Sequence, residues 1–452
     1  MVESRYWLQT LGCPKNQVDS DKLEGRLAGQ GYRRAAAASE ADLVVINTCA
    51  FIESARQESI DTVLALADLR RPGSRLVVTG CLAERYGSEI TDALPEVDLV
   101  AGFGIDFAQP VDVDQPVGVP VALARKPGPR PGKGFDLLEL ARPASEVPWA
   151  YVKVAEGCDR ICGFCAIPSF RGKQRSRHAD EIMSEVELLL AGGTTPSGAP
   201  APPVREIVLV AQDLASYGRD RSRPGARVRA GRSPISGLTR AISDRVARTR
   251  LLYLYPSGLT DELIEAVLGT GVPYFDLSLQ HVSRPLLARM RRWGDGERFL
   301  RRIADIRGAD PRATFRSSFI LGYPGETERD HDRLLEFLAE AQLDWAGFFP
   351  FSNEAGTHAA ELPDQIPAAL AMERLRECAE LQDGITATRR DLLIGERRQV
   401  LVDAPGSGRT VHEAPEIDGI VYLPDDTVPG ELVDVEVTAA VGPDLYAVRA
   451  GG

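Results

Sequence analysis

Short apolar runs alternate with stretches of helical period through the first hundred residues. Tyr6 to Leu11, Asp42 to Asn47 and Arg75 to Thr79 read as strands, while Val18 to Gln30, closed by Gly31, and Ala50 to Leu69, closed by Arg71-Pro72-Gly73, read as helices. That alternation predicts an α/β domain with a parallel sheet. The same rhythm returns with six strands: Trp149 to Ala155, Arg205 to Ala211, Arg250 to Leu254, Tyr274 to Leu279, Thr314 to Leu321 and Trp345 to Phe351. Helical patterns separate them, among them Asp180 to Leu190, Asp261 to Leu268, Glu297 to Arg307 and Glu328 to Ala341. Six β/α units are too few to close a barrel of eight, so an open (β/α)6 partial barrel is predicted. After Gln382 the pattern changes to short strands between Gly, Pro and Asp turns: Arg398 to Val402, Gly408 to His412, Gly419 to Tyr422, Glu431 to Thr438 and Tyr446 to Arg449. These suggest a small closed β-barrel of the OB type. The expected domains are 1–108, 149–382 and 383–452, with a connector over 109–148.

The connector is defined by proline. Gln109 to Pro148 contains eight, centred on Lys126-Pro127-Gly128-Pro129-Arg130-Pro131-Gly132-Lys133-Gly134, and predicts an extended linker or an irregular surface strap. Gly128 to Lys133 is not a phosphate-binding P-loop: its spacing is one residue short, Gly134 replaces the metal-binding hydroxyl, and no strand precedes it. Two further interruptions fall within the central domain. Thr194 to Val204, with four prolines, looks like an exposed loop. Arg219 to Arg232 holds six arginines against one aspartate, and reads either as a solvated loop or as a contact for RNA phosphates.

Composition narrows the class. With 44% apolar and 26% charged residues over 452, the chain is that of a globular protein with a sizeable core. The start Met1-Val2-Glu3-Ser4-Arg5 lacks the basic-then-apolar run of a signal peptide, and no apolar stretch is long enough to span a bilayer. A cytoplasmic protein without membrane contact is therefore expected. A net charge of −12 argues against a protein that coats nucleic acid. The terminal barrel is especially acidic, with eleven Asp and Glu against four Arg between Glu396 and Gly452, so a basic protein is a better partner for it than a phosphate backbone.

Seven cysteines remain to be placed. Cys158, Cys162 and Cys165 put three thiols within eight residues, directly after the first strand of the partial barrel. A disulfide would leave the third thiol unexplained. A structural zinc would need a fourth ligand, and no Cys or His follows before His178. The third reading is a [4Fe-4S] cluster with one iron left open for a small molecule. Cys13, Cys49 and Cys81 each follow a predicted strand of the first domain, at the carboxyl edge where α/β sheets bind ligands. They read as a second three-thiol set, the alternative being three unrelated packed thiols. Cys378, alone in a helical run, reads as a buried apolar residue.

The spacing C-x3-C-x2-C with Phe164 before its last Cys resembles the signature of the radical S-adenosylmethionine (SAM) enzymes. Together with Cys13, Cys49 and Cys81 and the small terminal barrel, it resembles the methylthiotransferase family across essentially the full chain. Ala155-Glu156-Gly157-Cys158, Ile167-Pro168-Ser169-Phe170-Arg171-Gly172, Ala211-Gln212-Asp213 and Glu413-Ala414-Pro415-Glu416-Ile417-Asp418-Gly419 are similar to its RimO branch. The resemblance implies two [4Fe-4S] clusters, one on Cys13, Cys49 and Cys81 and one on Cys158, Cys162 and Cys165. It also implies two uses of SAM, one giving a methyl group to sulfur at the first cluster and one cleaved at the second to a 5'-deoxyadenosyl radical. The product would be a methylthio group on the β-carbon of an aspartate in ribosomal protein S-twelve, bound through the acidic terminal barrel (TRAM), with a separate electron donor. Phe164, Gln212, Ser318 and Gly322 are the candidate SAM contacts. The competing readings are a tRNA methylthiotransferase of the same family and a non-catalytic metal-binding scaffold.

Overall fold

The computed structural model describes residues 4–107, 134–221 and 233–451, so most of the predicted linker and residues 222–232 of the arginine-rich insertion lie outside the described residues. The chain divides into two compact units. The first runs to Ala144 and takes in two short returns of the chain, Ser169–Gly172 and Gly193–Pro200; the second comprises the remainder.

In the first unit, strands β1 (Arg5–Thr10), β2 (Arg33–Arg34), β3 (Leu43–Thr48), β4 (Arg75–Gly80) and β5 (Leu99–Val100) form a sheet in the order β2-β1-β3-β4-β5, with every pair parallel. Helices α1 (Pro14–Gly29), α2 (Glu53–Leu69) and α3 (Cys81–Ala93) follow β1, β3 and β4. The three strands legible in the sequence are the apolar ones; β2 and β5, two residues each, escape a reading based on apolar runs. The strand order reverses between β1 and β3, which is where such sheets open a crevice at their carboxyl ends. Leu137 and Leu138 are buried, Lys22 donates to the Leu138 carbonyl at 2.9 Å, and Arg142 pairs with Asp21. The described end of the connector is thus a strap on this unit, which continues past the predicted boundary at 108.

The second unit opens with β6 (Trp149–Lys153) and a small antiparallel pair, β7 (Ala155–Glu156) with β8 (Arg175–Ser176). Strands β9 (Glu206–Val210), β10 (Arg248–Leu251), β11 (Tyr274–Gln280), β12 (Thr314–Leu321) and β13 (Trp345–Pro350) continue the parallel series. They lie in the order β6-β9-β10 and β11-β12-β13, joined by a single parallel bridge from Leu254 to Leu277. This is the open six-stranded partial barrel that the alternation predicts. The third strand stops at Leu251, short of its expected end, because Tyr253 turns to φ 65° and gives its N–H to the Asp276 carboxylate instead of the ladder. Ile182, Val186 and Leu189 of one covering helix and Leu334, Phe337 and Leu338 of another share one core with Phe275, Phe315 and Phe319 of the strands. Cys378 is fully buried there, as expected of a packed thiol. Its helix, Ala368–Asp391, runs across the expected boundary at 382 because Ile385, Thr386 and Arg390 continue its buried face.

The last five strands, β14 (Arg397–Ala404), β15 (Ser407–Arg409), β16 (Val421–Tyr422), β17 (Leu432–Val441) and β18 (Asp444–Arg449), close in the order β14-β15-β16-β18-β17. The loop between β15 and β16 serves the neighbouring sheet. Backbone carbonyls of Arg409, Thr410 and Val411 accept from Arg248 and Arg250, that of His412 from Trp345, and that of Pro415 from Tyr151, while Asp418 accepts from Tyr274 at 2.6 Å. These partners lie at or near the amino ends of β6, β10, β11 and β13. The segment Glu413 to Gly419 therefore plugs the end of the partial barrel away from the strand carboxyl ends. This placement corrects one part of the charge argument. Glu413 is buried against Arg390 and Asp418 pairs with Arg316, so these two acids are internal, while the partly buried Asp403 is paired with buried Arg409. Glu396, Glu416, Asp425, Asp426, Glu431, Asp434 and Glu436 remain exposed. Among the described residues no helix is long and apolar enough to cross a membrane.

Candidate functional site

Two clusters of thiols stand at strand carboxyl ends, one in each unit. In the first unit Thr10 is level with Asn47 and Thr48 with Gly80, so Cys13, Cys49 and Cys81 follow three adjacent strands at one edge. Cys13 caps α1 and Cys81 begins α3, which puts both sulfurs at helix amino ends, where the backbone dipoles favour a thiolate. The close approach depends on Gly12: at φ 98°, a Cβ there would stand 2.7 Å from the Cys49 Cβ. Asn16 ties the edge together by donating to the carbonyls of Leu11 at 2.9 Å and Thr48 at 3.1 Å, while Asn47 donates to the Asn16 carbonyl. Ser59 holds the Cys49 backbone on both its N–H and its carbonyl.

Burial, reinforced by the nearby charges of Cys81 and Cys13, pushes the Cys49 thiol up to about 12. Burial also raises Cys81, against the opposing pull of Arg171. For Cys13 burial acts in the same direction, but Lys15 and Arg171 outweigh it and the thiol lies below its ordinary value. These mutual influences place the three sulfurs within electrostatic reach of one another. Among the described residues no three Cys, His, Asp or Glu donors converge tightly enough for one metal ion. Three thiols at one sheet edge are the donor set that an iron–sulfur cluster takes, each thiolate binding a different iron.

The second set occupies the loop after β7. Cys158 is buried and Cys162 and Cys165 partly exposed, with the Cys165 N–H closing a turn onto the Cys162 carbonyl at 3.1 Å. Gly163 anchors this loop by donating to the Met290 carbonyl and accepting from the Ala359 N–H, both at 2.8 Å. A Cβ at Gly163 would lie 2.6 Å from the Tyr323 hydroxyl, so only glycine fits without displacement. Burial lifts Cys158 to about 11 and Cys165 to about 12. Arg292 donates to the Cys162 sulfur at 3.2 Å, and Arg160 donates to Asp213 at 2.7 Å. Both guanidinium groups lie over the Tyr255 ring, Arg160 at 3.8 Å and Arg292 at 4.3 Å from its centroid. Cation–π contact with one shared ring holds both arginines beside the loop.

Of the four candidate SAM contacts, Gln212 has the most informative surroundings. Its amide donates to Glu156 at 2.8 Å, Glu156 also binds the fully buried Lys153 at 2.7 Å, and the Gln212 carbonyl oxygen is buried with no hydrogen bond from the protein. That oxygen is an acceptor available to a ligand's N–H. Ser318 shares a face of β12 with Arg316 and Ile320, and Phe164 packs on the central core. Gly322 has a packing explanation instead: its Cβ position lies 2.5 Å from Ala371, and its N–H is taken by Glu326. Sequence reasoning singled out neither Lys153 nor Arg292, and it met Glu156 and Arg171 only inside motifs. Their roles come from partners distant in sequence, for which periodicity carries no signal.

Comparison with known proteins follows the same division. The uncharacterized protein family UPF0004 matches residues 5–102, the radical SAM superfamily residues 152–338, and the TRAM domain residues 394–449. Full-length similarity extends to proteins named "Ribosomal protein uS12 methylthiotransferase RimO". The one from Chloroflexus aurantiacus is 37% identical, with 98% of this chain and 99% of that protein aligned. Those from Nocardioides sp. (39%; 97% and 95%) and Moorella thermoacetica (41%; 95% and 95%) are comparably similar.

Proposed function

The chain belongs to the RimO family of radical SAM methylthiotransferases, and from that premise we propose that it adds a methylthio group to the β-carbon of an aspartate in ribosomal protein uS12. The observation that carries this reading is the pair of three-thiol sets, one following three adjacent strands of a parallel sheet and one on the loop that follows the first strands of the partial barrel. Membership of the radical SAM superfamily entails SAM and a [4Fe-4S] cluster, for which Cys158, Cys162 and Cys165 are the ligands we assign. A second cluster on Cys13, Cys49 and Cys81 is part of the proposal. When bound, the two groups supply what the side chains cannot: the electron that cleaves SAM, and a site for the sulfur that is transferred.

The protein's own contribution is orientation. Gly163 and the two arginines over Tyr255 hold the cysteine loop. Lys153 and Gln212 fix Glu156, which leaves the Gln212 oxygen to accept from SAM, with Phe164 and Ser318 as further contacts. An aliphatic C–H offers no acid, base or nucleophile a handle, so general acid–base groups are not required to act on it. The exposed acids of the terminal barrel favour a basic protein substrate over RNA, which weighs against the tRNA-modifying alternative. Cytoplasmic location follows from a ribosomal substrate. Reduction requires an external electron donor. Residues 222–232, where contact with ribosomal RNA was considered, lie outside the described residues.

The test is anaerobic reconstitution with iron and sulfide, then incubation with SAM, a strong reductant and either uS12 or tRNA. Formation of 5'-deoxyadenosine together with methylthio-aspartate on uS12 is expected. Modification of tRNA alone would refute the assignment, and absence of 5'-deoxyadenosine would leave only a scaffold.

A further inference from the structure

Arg171, whose charge acts on Cys13 and Cys81, has a geometry that goes further. It lies on Ser169–Gly172, a return of the chain into the first unit that begins four residues after Cys165. Its guanidinium donates to the Cys81 sulfur from Nε at 3.3 Å and from Nη2 at 3.1 Å. It also donates to Asn16 Oδ1 at 2.7 Å and pairs with Asp19 at 3.2 Å. The ring of Phe103 covers it, its carbon centre 4.6 Å from the ring centroid. Arg171 and Asp19 have side chains 2% and 1% exposed, so this charge is neither screened by water nor free to leave.

A fully buried arginine is expensive unless it answers a negative group. Asp19 supplies one, but two donors of the guanidinium, Nε and Nη2, are directed at a thiol. We propose that Arg171 is a positioning residue for the cluster held by Cys13, Cys49 and Cys81, fixing the Cys81 sulfur and setting that cluster's reduction potential. The inference rests on the reading that these thiols hold a cluster. Hydrogen bonds to ligand sulfur and a nearby positive charge both stabilise the more negative, reduced state and so raise the potential. Asp19 opposes this and moderates the charge. The chain segment that forms one thiol loop thereby supplies, a few residues later, the residue that tunes the other thiol set.

The experiment uses the full chain with Cys158, Cys162 and Cys165 all replaced by Ala, so that one cluster is observed, reconstituted anaerobically and titrated for its midpoint potential by EPR. R171M is expected to lower the potential by the equivalent of about tenfold in the one-electron equilibrium, roughly 59 mV. R171K should recover part of the shift, since it keeps charge but loses the two-donor contact. D19N should move the potential the opposite way, and it carries the test if R171M fails to fold. Opposite shifts support the proposal. Unchanged potentials in both R171M and D19N, or shifts in the same direction, overturn it. Absence of iron from the parent triple variant would instead refute the cluster reading itself.

Discussion

Glu206, the first residue of β9, meets Arg409 of the terminal barrel at 2.8 Å while its other oxygen accepts from Arg250 at 2.6 Å, and all three side chains are buried. One carboxylate thus links the central sheet to the barrel through two guanidinium groups. Replacing it by Gln would leave buried positive charge uncompensated, which typically costs about 3–5 kcal/mol. E206Q is expected to lose stability of this order, measured by the denaturant midpoint of the reconstituted protein. A loss under 1 kcal/mol would show that the pair is not structural.

Acid should act on the same joint. Burial alone would raise Glu206, but Arg250, Arg409 and Arg248 outweigh it and hold the carboxyl at about 2; Arg390 and His412 do the same for Glu413. Because the folded values lie below the ordinary carboxylate range, the folded protein binds fewer protons than the unfolded chain in that interval. Stability from these two groups is fully present above the unfolded value and falls as pH drops from about 4.5 towards 2. Melting temperature followed from pH 6 to 3 should decline, and the decline should be shallower in E206Q.

Gly163 offers a test of the second thiol loop with a built-in rescue. G163A forces a methyl against the Tyr323 hydroxyl and should displace the loop, lowering iron retained by Cys158, Cys162 and Cys165 severalfold. Removing the hydroxyl in G163A/Y323F should restore most of it. If the double variant loads no better than the single one, the proposed clash is not what glycine prevents.

Gln212 tests the ligand contact. Q212A leaves Lys153 and Glu156 paired but removes the unpartnered oxygen, and a lost hydrogen bond of this kind is worth roughly 1 kcal/mol. The affinity for SAM is therefore expected to fall about fivefold, measured on the reconstituted enzyme by equilibrium binding. Unchanged affinity would remove Gln212 from the SAM site.

Much of this architecture is legible in the sequence because its signals are local. Leu43 to Thr48 is a continuous apolar strand followed at once by Cys49, and Arg75 to Gly80 by Cys81, so placing the strands also placed two thiols at their carboxyl ends. The terminal barrel's five strands are visible for the same reason. What is missed depends on distant partners. Charge counting treats every acid of the barrel as solvent-facing, whereas Glu413 and Asp418 face arginines of the helix and sheet beside them. Arg171 reaches Cys81 across 90 positions and Arg292 reaches Cys162 across 130, distances at which neither spacing nor periodicity speaks.

The division of labour between the two thiol sets is tested most directly by assaying 5'-deoxyadenosine and methylthio-aspartate in the same samples of reconstituted C13A and C162A. C13A is expected to keep cleaving SAM while leaving uS12 unmodified, and C162A to do neither. If C13A loses SAM cleavage while C162A retains it, the roles assigned to the two sets are reversed and the account is wrong.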